Sequence, residues 1–110
     1  MELRFVYVTT ADREEARRIG RALVEHRLAA CVNILDGMSS FYRWEGAVQD
    51  AQETVLIAKT RAELVEALCE KVKALHSYRC PCVVALPILG GNPAFLDWIA
   101  AETGGGGEGG

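Results

Sequence analysis

The stretch that decides the fold runs from residue 4 to residue 35 and reads RFVYVTTADREEARRIGRALVEHRLAACVNIL. Its first part, residues 4–9, is a short run of β-formers and predicts a strand. Asp12 then predicts a helix N-cap, and Glu15 completes a capping-box pattern three residues later. Apolar side chains recur at three- and four-residue steps through this helix, at Ala16, Ile19, Leu23, Val24 and Leu28. Residues 29–35 predict a second strand, so this part of the chain is a β-α-β unit.

The middle of the chain predicts a long hairpin. Residues 39–44 are aromatic and β-prone, and the pair Glu45-Gly46 is typical of a hairpin tip. The clearest strand in this region is residues 54–59, and the Asp36-Gly37 pair before the aromatic segment indicates a turn or a bulge.

A second β-α-β unit follows from the next residues. Thr60 and Glu63 form another capping-box pattern and predict a second helix. Its apolar face consists of Leu64, Val65, Leu68, Cys69, Val72 and Leu75. Residues 82–86 predict a strand bounded by Pro81 and Pro87, and Asn92 predicts the cap of a short last helix.

This element order predicts an α+β fold, a ferredoxin-like β-α-β-β-α-β sheet with two helices on one face and a short C-terminal helix. Such a sheet leaves its other face uncovered, and half of the 110 residues are apolar. We therefore expect copies of the chain to cover that face in a closed cyclic oligomer. We expect a single domain over residues 1–103. Residues 104–110 are six glycines and one glutamate and predict a disordered tail.

Composition restricts the classes of partner. The net charge is −3, and the chain has no basic run, which argues against nucleic acid. It also has no apolar stretch of about 20 residues that would span a membrane. The N-terminus does not resemble a signal peptide, so we expect a cytoplasmic location and reduced thiols for the four cysteines.

Several short motifs resemble the CutA divalent-cation tolerance family in order and spacing, over about residues 4 to 100. They are Ala30-Cys31-Val32-Asn33-Ile34, Tyr42-Arg43-Trp44-Glu45-Gly46, Lys59-Thr60, His76-Ser77-Tyr78, Leu86-Pro87-Ile88, Gly91-Asn92-Pro93 and Leu96-Asp97-Trp98-Ile99. The resemblance implies a ferredoxin-like fold, a tight homotrimer and an architecture similar to PII signalling proteins. It also implies a role in divalent-cation tolerance, with copper binding. The chain departs from the family where Ser77 replaces a proline and Cys82 replaces a glutamate.

The second departure creates a Cys80-Pro81-Cys82 motif. On an extended chain both thiols point to one side and could share a soft ion such as Cu(I) or Zn(II). His76, four residues before Cys80, is a candidate third ligand, and Cys31 is a further metal candidate through the family motif. The alternative is that these cysteines are packed core residues, as free cysteines often are.

The aromatic and basic members of the shared motifs predict a ligand pocket between subunits. These residues are Tyr42, Trp44, Lys59, Tyr78 and Trp98. The lysine would supply charge and the phenols would supply donors for a small anion. The alternative is that Tyr42 and Trp44 are packing residues of the trimer interface.

These features favour a homotrimeric binding protein for a metal ion or small ligand over an enzyme. Acylphosphatase shares the fold class, but residues 9–12 lack the glycines and the arginine of a phosphate loop, and no nucleophile motif is present. No obligatory cofactor is expected, and copper or another divalent ion is the implied ligand. The alternatives are a PII-like small-ligand sensor and a trimeric scaffold with no metal role. An RNA-binding RRM has the same element order but would need a basic, aromatic sheet.

Overall fold

A computed structural model describes residues 2–104 and contains one four-stranded antiparallel sheet with strand order β2-β3-β1-β4. The elements are β1 (Leu3–Thr10), α1 (Arg13–Glu25), β2 (Cys31–Trp44), β3 (Ala47–Arg61), a 3₁₀ turn (Ala62–Leu64), α2 (Val65–Leu75), β4 (Val83–Ile88) and α3 (Pro93–Ala101). This order confirms the predicted α+β fold. No helix within the described range is both long and apolar enough to cross a membrane.

The main core lies between one face of the sheet and helices α1 and α2. Val6 and Val8 on β1 are fully buried, and Leu56 on β3 pairs with Val8 on the same face. Helix residues Ile19 and Leu68 pack onto them. Because side chains alternate along a strand, the residues between these core positions must point to the opposite face.

That opposite face, here called the open face, is apolar and mostly uncovered. Its apolar residues include Phe5, Tyr7, Leu35, Ile57, Val84 and Leu86, as the strand register requires. Leu35 is 60% exposed, and Val84 and Leu86 are each 49% exposed. Helix α3 covers only the end of the sheet at Leu3, where Ile99 packs.

The hairpin of β2 and β3 extends beyond the rest of the sheet. The β1–β3 ladder stops at Thr10 and Thr54, whereas the β2–β3 ladder continues to Trp44 and Ala47. The predicted tip at Glu45-Gly46 is confirmed, and both residues have positive φ angles, 51° and 81°.

The predicted irregularity at Asp36-Gly37 is a β-bulge, since the register shifts between Leu35 and Met38. The Asp36 carboxylate accepts hydrogen bonds from Thr54 Oγ1 at 2.8 Å and from the Gly37 N–H at 2.9 Å. These bonds lower the pKa of Asp36.

Two predicted boundaries are wrong. Thr60 does not cap a helix, because β3 continues through it to Arg61 and pairs with β1, leaving the Thr60 side chain buried. Ladder pairing therefore prevails over the capping pattern, and α2 begins only after a 3₁₀ turn. Pro87 does not end the last strand but lies inside β4. An edge strand tolerates this because one side of it has no ladder partner to lose.

The helix caps at Asp12 and Asn92 are confirmed. Asp12 Oδ1 accepts from the Glu15 N–H at 2.8 Å, and Asn92 Oδ1 accepts from the Ala94 N–H at 3.2 Å. The predicted disordered tail lies outside the described residues except for Gly104. The Gly104 N–H donates to the Arg27 carbonyl at 2.9 Å.

The Glu15 side chain has a different role from the predicted capping-box contact. It is buried, and its two oxygens accept from the Ala11 N–H at 2.9 Å and the Ser77 N–H at 2.6 Å. Burial alone raises the pKa of Glu15, but these hydrogen bonds outweigh it and the pKa is lowered. Glu15 thus attaches the segment after α2 to the start of α1.

The Glu15 contacts predict a pH-dependent stability. Because the folded-state pKa lies below the ordinary value of 4.5, this contribution is present above that pH and is lost as the pH falls through the folded pKa. Glu15→Gln should lower the free energy of unfolding by about 1–3 kcal/mol at neutral pH. The difference from the parent protein should shrink toward about pH 3.

Urea unfolding at fixed protein concentration and both pH values measures this effect. Glu14→Gln, an exposed neighbour on α1, is the matched control and should change stability by less than about 0.5 kcal/mol. His76 Nδ1 and an Arg18 guanidinium nitrogen also face Glu15 Oε2, at 3.8 and 3.9 Å. An equal loss at both pH values would contradict the assignment.

Candidate functional site

A groove of about 740 Å³ lies where the open face meets the projecting hairpin. Tyr7 and Thr9 of β1 lie on its sheet side, and Phe41, Tyr42 and Trp44 of β2 form its hairpin side. Residues 78–80 and Cys82, in the segment before β4, line it on the third side. We call this cavity the aromatic groove.

Tyr78 is held in the groove by contacts at both its backbone and its side chain. Its hydroxyl donates to Glu53 Oε2 at 2.6 Å, and its N–H donates to His76 Nδ1 at 3.0 Å. Burial raises the pKa of the Tyr78 phenol far above its usual range, and the Glu53 carboxylate raises it further. The phenol therefore remains protonated and acts as a donor.

Three of the five predicted pocket residues line the aromatic groove of one chain: Tyr42, Trp44 and Tyr78. Lys59 lies on the open face in the row of Phe5, where its ammonium contacts Asn33 Oδ1 and lies 3.7 Å from Cys31 Sγ. Trp98 lies on α3 and stacks on Phe95, with ring centroids 5.5 Å apart. A second subunit would be needed to bring Lys59 or Trp98 to the groove, so the five-residue pocket stays a prediction.

The predicted metal ligands do not all lie together in the structure. Cys80 is exposed, Cys82 is half-buried, and both line the aromatic groove as free thiols. Cys31 lies beside Lys59 on the open face. Within residues 2–104 no three His, Cys, Asp or Glu side chains are gathered closely enough to hold an ion together.

The His76 imidazole has protein partners at both nitrogens. Its side chain is fully buried, Nε2 lies 2.8 Å from the Thr9 carbonyl, and Nδ1 accepts from the Tyr78 N–H. This pattern requires the neutral tautomer with the proton on Nε2. A metal ion would have to displace one of these contacts, so the imidazole in this conformation positions the loop that carries Tyr78.

Sequence reasoning missed Tyr7 and Glu53 as groove residues. The alternation of β1 carries a usable signal for Tyr7, because a strand whose Val6 and Val8 face the core presents Tyr7 to the other side. The same alternation applies to Glu53 on β3, where Leu56 and Ala58 face the core. It stands among polar hairpin residues, however, so the sequence does not show that it lines the groove; the structure does.

Comparisons with known proteins find the same architecture in a named family. The family model for the CutA1 divalent ion tolerance protein matches residues 4–102. The divalent-cation tolerance protein CutA of Thermus thermophilus is 52% identical over 99 residues, which cover 90% of this chain and 96% of that protein. A solved structure of the divalent cation tolerance protein from Thermus thermophilus superposes with a TM-score of 0.91 at 50% identity, covering 93% of this chain and 99% of that one.

A plant relative shows that the domain also occurs in longer proteins. The chloroplastic protein CutA of Arabidopsis thaliana is 48% identical over 98 residues, which are 89% of this chain but 54% of that protein. The family match over residues 4–102 takes in α1, α2, α3 and all of the sheet except Leu3. The resemblance predicted from the motifs is confirmed, and the chain belongs to the CutA1 divalent ion tolerance protein family.

Proposed function

We propose that this chain is a homotrimeric cytoplasmic binding protein with a role in divalent-cation tolerance. It would form one domain over residues 1–103. Family membership supports the tolerance role, since the Thermus thermophilus relative carries that name. A binding role is favoured over an enzymatic one because residues 9–12 lack a phosphate loop and the sequence carries no nucleophile motif. The aromatic groove is the ligand site of this proposal.

The apolar open face is the observation that supports the proposed trimer. Leu35, Val84 and Leu86 lie on it in adjacent rows and are about half exposed or more. Contiguous apolar surface of this kind is unusual on a protein that remains monomeric. A cyclic trimer would cover the face by a closed arrangement of identical contacts, without leaving an open interface.

The assembly proposal predicts a mass of three chains by light scattering at micromolar concentration. Leu86→Lys or Leu35→Lys should shift the mass toward one chain, because each places a charge in the proposed interface. Val24→Lys is the matched control, since Val24 is also an exposed apolar residue but lies on α1, away from the open face.

A monomeric mass for the parent protein would overturn the assembly. A parent trimer that both open-face lysine variants leave intact would place the interface elsewhere. Circular dichroism of each variant separates loss of assembly from loss of fold.

For metal binding we propose Cys80 and Cys82 as the primary ligands. Both thiols line the groove and are separated by one proline, and sulfur ligands favour soft ions such as Cu(I). Cys31, on the open face, is proposed as a ligand only within an assembled trimer. His76 would join only if its ring released Thr9 or Tyr78.

The metal proposal predicts submicromolar Cu(I) or Zn(II) binding to the reduced protein, measured by calorimetry. The double variant Cys80→Ser, Cys82→Ser should lose this binding, because serine hydroxyls are poor ligands for soft ions. Cys69→Ser is the matched control, since Cys69 is a half-buried thiol on α2.

Adding Cys31→Ser tests the family-motif cysteine separately, and His76 is kept intact because its ring is structural. Binding that survives the double variant would remove these thiols as ligands. In that case the alternatives are a PII-like small-ligand sensor and a trimeric scaffold without a metal role.

A further inference from the structure

The side chains that line the aromatic groove carry more negative than positive charge. Glu45 and Glu53 contribute carboxylates, and Arg79 is the one lysine or arginine among the described residues of the lining. Arg79 already faces Glu45, with Nη2 at 3.8 Å from Oε2 in an exposed pair. Glu53 is therefore the carboxylate of the groove without a cationic partner in this part of the chain.

Glu53 is largely buried yet incompletely satisfied. It is 7% exposed, and its Oε2 accepts the short hydrogen bond from Tyr78. Its Oε1 has no hydrogen-bond partner within residues 2–104. That oxygen also keeps some accessible surface. Within residues 2–104, the Thr60 hydroxyl is the one side-chain nitrogen or oxygen that is both inaccessible and without a hydrogen-bond partner. A buried carboxylate that opens onto a cavity without a counter-charge is stabilised by a cation.

The walls around Glu53 are aromatic. Tyr7, Phe41, Tyr42, Trp44 and Tyr78 all line the cavity. The faces of aromatic rings carry partial negative charge and attract cations. The volume of about 740 Å³ lies within the range of small-molecule sites and far exceeds what a bare ion needs.

Within one chain, the Lys59 ammonium does not reach the groove. That ammonium is directed to Asn33 and Cys31 on the open face, so it does not offset Glu53. An anion in the groove would be repelled by the negatively charged Glu53 carboxylate. A hard metal ion would need several oxygen ligands, and the described residues gather no three ligating side chains there.

We propose that the aromatic groove binds a small organic cation, a protonated amine on a flat apolar body, with the ammonium at Glu53 and the apolar body against Trp44 and Tyr42. This inference rests on the proposed function only in taking the groove as the ligand site. It assigns that site a ligand class opposite in charge to the one predicted from the sequence.

Three probes of similar shape and different charge test the proposal: phenethylamine, 2-phenylethanol and 3-phenylpropanoate. Ligand-observed NMR titrations of the assembled protein should show the amine binding at least about 10-fold more tightly than the alcohol or the carboxylate. Glu53→Gln, which keeps an acceptor for Tyr78, should weaken amine binding about 10-fold and leave alcohol binding unchanged. Glu66→Gln, on α2, is the matched control and should change neither.

Trp44→Leu is the second variant, since its exposed side chain can be replaced without opening the core. It should weaken both the amine and the alcohol. Equal or tighter binding of the carboxylate, no binding of the amine, or an amine affinity unchanged by Glu53→Gln would each overturn the inference. So would zinc binding that depends on Glu53 in the absence of amine binding. Mass and the thiol-dependent metal titration are measured in parallel, so a failure here with both intact leaves the proposed function standing.

Discussion

Antiparallel pairing of β1 with β3 on one side and β4 on the other is the constraint on which the rest of the structure depends. Because β1 lies inside the sheet, every second side chain is committed to one face. Val6 and Val8 face the helices, whereas Tyr7 and Thr9 lie on the open face. The same alternation that builds the core therefore supplies the sheet side of the aromatic groove.

The other two sides of the groove come from segments far apart in the chain, and each has its own support. The hairpin projects beyond β1 and carries Trp44 and Tyr42 with it. The segment before β4 is held by buried polar contacts, in which Glu15 accepts from Ser77 and His76 bonds to Thr9 and Tyr78. Satisfied buried networks of this kind favour one conformation over its alternatives. The groove is therefore bounded by ordered structure on the strand side and the loop side alike.

The charge of the groove follows from strand register more than from composition. Lys59 and Glu53 are both on β3, and both belong to the open-face rows. Alternation along β3 places both side chains on the same face, but Lys59 remains in the row of Phe5, whereas Glu53 lies just past the end of the β1–β3 ladder and lines the cavity. A pocket predicted from aromatic residues and a lysine is thus, within one chain, an aromatic groove whose lining includes the Glu53 carboxylate but not Lys59.

Local patterns in the sequence were sufficient for the strands, the helices, the bulge, the hairpin tip and the caps at Asp12 and Asn92, because these depend on neighbouring residues. They failed at Thr60 and Pro87, where pairing with a distant strand prevails over local preference. The motifs also identified Tyr42, Trp44, Tyr78, Cys80 and Cys82, which lie together. Only the tertiary structure could show that, within one chain, Lys59, Trp98 and His76 do not line the groove with them and Glu53 does, because register and burial are set by contacts between residues remote in sequence.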